Sequence, residues 1–129
     1  MTRIMIIDDE EPIRDALSSV IEAAGHQTCS VADGSGCLAL LETFKPDVVI
    51  TDLLMPGMEG MQTIHELRKQ RPDLPIIAMS GSLWDPGLDY LRSARLLGAS
   101  RTLRKPIEPK ALIQAIASLV APEALPDQQ

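Results

Sequence analysis

The feature that most constrains this chain is an alternation. Short apolar runs, two of them ending in acid, take turns with longer stretches in which apolar residues recur at helical spacing. Residues 3–8 read RIMIID and residues 47–52 read DVVITD. Such unbroken runs suit parallel strands covered on both faces. Residues 26–31 form a weaker, more polar strand suited to a sheet edge, residues 75–79 a fourth, and Arg101 to Arg104 a short fifth. Between them lie helices. Pro12 opens the first, which carries Ile13, Ala16, Leu17, Val20, Ile21 and Ala24 and stops at Gly25. Residues 35–44 make the second, with Leu38, Leu41 and Phe44, ended by Pro46. Met61, Ile64 and Leu67 mark a third, closed by Pro72. Leu88, Leu91, Ala94 and Leu97 mark a fourth, stopped at Gly98; Pro109 opens the last, with Leu112, Ile113, Ile116 and Val120.

Repeated β–α units predict an α/β fold: a parallel sheet with helices on both faces. The flavodoxin-like (βα)5 three-layer sandwich, with strand order 2-1-3-4-5, is the common five-stranded solution. The 129 residues fit one domain, expected over 1–121, with a polar, proline-containing tail over 122–129 expected to fray. Phe44, Trp84 and Tyr90 are the only aromatics, so the core must be aliphatic. Two cysteines, Cys29 and Cys37, make no disulfide framework and no CxxC pair, and read as free thiols. No apolar run approaches the ~18 residues of a membrane span. The N-terminus turns acidic at once and shows no signal peptide, so a cytoplasmic protein is expected. The net charge of −6 argues against nucleic-acid binding and suits carboxylates gathered around a cation.

The acidic strand ends converge. In a parallel sheet all strand C-termini share one edge, and ligands bind there. Asp8 and Asp9 end the first strand and Asp52 ends the third. Adjacent strands lie about 4.8 Å apart, so three carboxylates would share a pocket. Two of them ~5 Å apart repel by about 3 kcal/mol at an effective dielectric of 20. A cation belongs among them, and an all-oxygen donor set points to Mg²⁺. Ser80 ends the fourth strand and Lys105 follows the fifth. Carboxylates, metal, hydroxyl and ammonium together make a place for a phosphoryl group, with Asp52 as nucleophile.

Asp8-Asp9, Asp52 followed by Met55-Pro56-Gly57 and Gly60, Ser80, Gly98-Ala99 and Lys105-Pro106 resemble the response-regulator receiver family, from about residue 3 to residue 120. Each motif alone is weak; in this order, at strand ends, the set is specific. The resemblance implies that Asp52 takes phosphate from the phosphohistidine of a sensor histidine kinase or phosphotransfer protein. It implies that Asp9, Asp52 and the carbonyl of Leu54 bind Mg²⁺, with Asp8 helping through water, and that Ser80 and Lys105 contact phosphoryl oxygens. It also implies a cis Lys105-Pro106 bond. No separate substrate turnover is expected, only self-phosphorylation and dephosphorylation. The signal would leave through the side of strand four, helix four and strand five, toward a downstream protein or an output domain outside this chain.

Three departures from the family pattern carry expectations. Thr102 stands where receivers usually carry an aromatic switch residue, with Trp84 or Tyr90 as candidates to substitute for it. The stretch from Ser80 to Gly98 is longer than usual around LWDPG, which suggests an unusual switch surface. Leu54 cannot orient water, which predicts slow dephosphorylation. Other readings fit less well. Asp8-Asp9 taken alone is an acidic helix start. His26 and His65 read as surface residues, and Met55, Met58 and Met61 as packing. A haloacid-dehalogenase-type phosphatase would want a second Asp where Leu54 stands. A pseudo-receiver would usually have lost Asp9, Asp52 or Lys105. A flavodoxin would need a phosphate loop after the first strand.

Overall fold

The computed structural model describes residues 2–53, 60–80, 95 and 98–120. Five strands, β1 (Arg3–Ile7), β2 (Gln27–Val31), β3 (Val48–Asp52), β4 (Ile76–Ser80) and β5 (Arg101–Arg104), form one parallel sheet in the order β2-β1-β3-β4-β5. This is the flavodoxin-like order expected. The described helices are α1 (Glu11–Ala23), α2 (Gly34–Phe44), α3 (Gly60–Gln70) and α4 (Pro109–Val120). The helix expected from Leu88 to Leu97, apart from Arg95, the loop after Leu53 and the C-terminal tail lie outside the described residues.

Burial follows strand position. The central strands β3 and β4 are buried at every residue, whereas β2 and β5 are half-exposed edges. Side chains of one strand point alternately to opposite faces, and β1 supplies both cores. Met5 and Ile7 join Val49 and Ala78 beneath Leu41, Ile64 and Leu67, on the side of α2 and α3. Ile4 and Ile6 join Val48, Ile50, Ile77 and Met79 against Leu17, Ile21, Leu112 and Ile116 of α1 and α4. Each such Leu or Ile, fully buried, contributes roughly 1.5–3 kcal/mol.

The turns fix where the strands end. Pro12 sits in the first turn of α1, and Gly25, at φ +97°, ends that helix. Asp33 caps α2 by accepting from the Gly36 amide at 3.0 Å, so the helix begins at Gly34, one residue earlier than its apolar pattern implied. Lys45, at φ 55°, and then Pro46 close it. Strand β4 starts after Pro75, which has no N–H to donate; its carbonyl still accepts from Val49 at 3.0 Å. The strand starts one residue later than expected, at Ile76, and ends at Ser80 as expected; the partner of Ser80 in β5 is Arg104.

Arg68, near the end of α3, ties three segments together. Its guanidinium donates to the carbonyls of Arg71, Pro72 and Leu74 and, at 2.7 and 3.0 Å, to that of Gly98. Burial pulls its pKa down, with the Asp73 charge opposing. Gly98 has φ +124°, and a Cβ there would lie 2.8 Å from the Arg68 Nε.

Candidate functional site

The C-terminal ends of β1, β3, β4 and β5 bring Asp8, Asp9, Asp52, Ser80 and Lys105 to one edge of the sheet. The register places Ile7 beside Thr51, Asp52 beside Met79 and Ser80 beside Arg104. Asp8, Asp52 and Ser80 therefore stand at the ends of strands that apolar neighbours hold in the core, and Lys105 follows the edge strand β5. Asp52 is the last residue of β3 and is 5% exposed. Ser80 is the last residue of β4 and is 3% exposed. The turn after β5 returns Lys105 to the edge, and its amide donates to the Ser80 carbonyl at 2.8 Å. The Lys105-Pro106 bond is cis, as the resemblance implied.

Asp8 is fully buried and held at every polar atom. Its amide donates to the Val31 carbonyl at 3.2 Å. One carboxylate oxygen accepts from the Glu10 amide at 2.9 Å and the other from the Lys105 ammonium at 2.9 Å. Its own carbonyl accepts from Arg14 Nη1 at 2.7 Å. The Lys105 ammonium also lies 3.4 Å from Asp52 Oδ1, so one cation bridges two buried carboxylates. Burial acts to lower the Lys105 pKa. The Asp8 hydrogen bond and the Asp52 and Asp8 charges outweigh it, and the net shift is upward.

Asp9 is exposed, yet it belongs to the same cluster: Asp8, Asp9 and Asp52 each offer an oxygen, all within 4.8 Å of one another. Three hard oxygen donors at this spacing, one of them open to solvent, fit a divalent cation that keeps part of its water shell. The Leu54 carbonyl, expected as a further ligand, lies outside the described residues. Thr102 is half-buried in β5 beside Ala78, so no aromatic occupies that position. Trp84 and Tyr90 lie outside the described residues. His65 is exposed and His26 half-buried, and neither is part of the acidic group.

Two features were missed at the level of sequence. Arg14 grips the backbone of the acidic turn, and nothing in the helical periodicity of α1 separates it from a surface arginine. Beside Lys105, an apolar groove of about 520 Å³ opens between Ile13 and Leu17 of α1 and Pro106 and Ile107. Both thiols are free, and burial pushes Cys29 up to about 11 and Cys37 up to about 12. No described helix is long and apolar enough to cross a membrane.

Comparison with known proteins gives the same picture. The model of the response regulator receiver domain matches residues 4–117. Protein PilH of Pseudomonas aeruginosa is 32% identical over 121 residues, covering 94% of this chain and 99% of PilH. The response regulator SaeR of Staphylococcus aureus is 28% identical over 120 residues, covering 93% of this chain but 51% of SaeR, so the chain spans about half of that relative. Among solved structures, the chemotaxis protein CheY4 of Vibrio cholerae superposes with a TM-score of 0.83 at 27% identity, covering 93% of this chain and 99% of that one. A receiver domain from Clostridium thermocellum gives 0.86 at 30% identity, covering 96% and 98%. With the family model spanning most of the chain and the acidic group standing at the strand ends, this protein belongs to the response regulator receiver domains of two-component signalling.

Proposed function

We propose that Asp52 is the phosphoacceptor of this receiver, charged by the phosphohistidine of a sensor kinase or phosphotransfer protein in a Mg²⁺-dependent step. The observation that carries this reading is the Lys105 ammonium, 2.9 Å from Asp8 and 3.4 Å from Asp52, beside a carboxylate group suited to a divalent cation. In the transfer, an Asp52 carboxylate oxygen bonds to phosphorus while the bond from phosphorus to the donor's imidazole nitrogen breaks. A metal held by Asp9 and Asp52, with Asp8 behind and the Leu54 carbonyl in support, would supply positive charge to the phosphoryl oxygens. Lys105 is placed to leave its carboxylate partners and neutralise the incoming oxygens, and the Ser80 hydroxyl to hydrogen-bond one of them.

On this reading residues 1–121 are the receiver unit and 122–129 a tail. The domain acts as a signalling switch without turnover of a separate substrate, in the cytoplasm. Its output leaves through the side that carries β4, the segment after it and β5, toward a protein partner or an output domain.

Intact mass after treatment with acetyl phosphate and Mg²⁺ tests the assignment. The wild type is expected to gain one phosphoryl group and Asp52→Asn none. Phosphorylation persisting in Asp52→Asn, or absent from the wild type, would overturn it.

A further inference from the structure

We infer that Arg14 is a positioning residue for the metal site, acting through the peptide that joins Asp8 to Asp9. This rests on the Mg²⁺ reading above and goes one step beyond it. Asp8 is fixed by Val31, Glu10 and Lys105. Asp9 is not: it is exposed, and among the described residues its side chain takes no hydrogen bond. Its placement therefore depends on the backbone from which it projects. The carbonyl of the peptide between Asp8 and Asp9 accepts from Arg14 Nη1 at 2.7 Å, a short, charge-assisted bond in a part-buried setting.

Arg14 stands on the first turns of α1, on the flank of the face that packs Leu17 and Ile21 into the core. The guanidinium is thus anchored to a rigid element, and it sets the plane of the peptide that carries Asp9. Groups that orient metal ligands from behind typically alter metal affinity 10- to 100-fold when removed. A guanidinium is also a cation close to a cation site. Its removal by itself should strengthen Mg²⁺ binding by relieving repulsion. The two roles predict opposite signs, which makes them separable.

The test is Mg²⁺ affinity of the unphosphorylated protein, followed by the NMR shifts of the Asp9 and Asp52 amides. The variants are Arg14→Met, which keeps the apolar stem, and Arg14→Lys, which keeps a donor and the charge. Positioning predicts a Kd raised about 10-fold in Arg14→Met and most of the affinity regained in Arg14→Lys. An unchanged or tighter Kd in Arg14→Met would overturn the inference. So would a loss that Arg14→Lys does not relieve at all. Failure of the wild type to bind Mg²⁺ would instead overturn the reading of the site. Amide spectra away from the acidic turn check that both variants are folded.

Discussion

Replacing Lys105 with methionine should make this protein depend on Mg²⁺ for a large part of its stability. The ammonium stands 2.9 Å from Asp8 Oδ2 and 3.4 Å from Asp52 Oδ1. At an effective dielectric of 20 those attractions are worth about 6 and 5 kcal/mol before desolvation is subtracted. Desolvation is substantial, because the lysine side chain is 17% exposed and Asp8 not at all. Methionine fills a similar volume but leaves Asp8 and Asp52 without their cation, and Asp9 adds a third charge within 4.8 Å. Breaking a buried pair from one side usually costs about 3–5 kcal/mol; the partial exposure of Lys105 places the expected loss near the lower end, about 3 kcal/mol. Against a total of about 5–15 kcal/mol for a domain, that is a large share. Mg²⁺ should then recover more stability in the variant than in the wild type, since it no longer competes with an ammonium for the same oxygens. A tenfold tighter Kd corresponds to about 1.4 kcal/mol of extra stabilisation at saturating metal. Urea unfolding followed by circular dichroism, in chelator and in millimolar Mg²⁺, measures both. A loss under about 1 kcal/mol in chelator, or an equal Mg²⁺ effect in both proteins, would refute the bridging role of Lys105.

Three further outcomes are expected. Gly98→Ala should cost about 1–3 kcal/mol from its positive φ and more from the contact with Arg68 Nε at 2.8 Å; in an Arg68→Ala background, itself destabilised by unsatisfied carbonyls, the contact part should vanish, as a double-mutant cycle by urea unfolding would show. Stability should fall on the alkaline side. The Cys37 pKa is raised in the fold from an ordinary 9.0 to about 12, so its contribution is complete below about pH 9 and is lost as the unfolded thiol ionises between 9 and 12. Lys105, also raised, loses its contribution as pH climbs past its ordinary 10.5. Thermal melts from pH 7 to 11 check the sign, and a flat profile would contradict it. Finally, Leu54→Asn should shorten the lifetime of the phosphorylated protein, measured by loss of phosphoryl mass after the donor is removed; an unchanged half-life would remove Leu54 from the account.

Much of the site was legible because its residues terminate strands. An apolar run that ends in acid states both where the strand stops and what it presents, as at Ile7-Asp8 and Thr51-Asp52. Lys105-Pro106 and Ser80 were readable for the same reason: Ser80 ends its strand and Lys105 follows the next. The pairing of Lys105 with Asp8 was not readable: it spans 97 positions, and Lys105 had been expected to face phosphoryl oxygens. Arg14 and Arg68 were missed because they bind backbone carbonyls, which every residue carries, so no partner residue type betrays them.

The sequence by itself determined the alternation of strands and helices, the aliphatic two-sided core and the identity of the acidic strand ends. Periodicity and terminating residues are local properties, and they act within a few positions of the chain. Only the tertiary structure decided that one lysine bridges Asp8 and Asp52, that Arg14 holds the acidic turn, and that Arg68 closes against Gly98. Those contacts depend on the distance between groups far apart in sequence, and that distance exists only once the sheet has brought its strand ends to one edge.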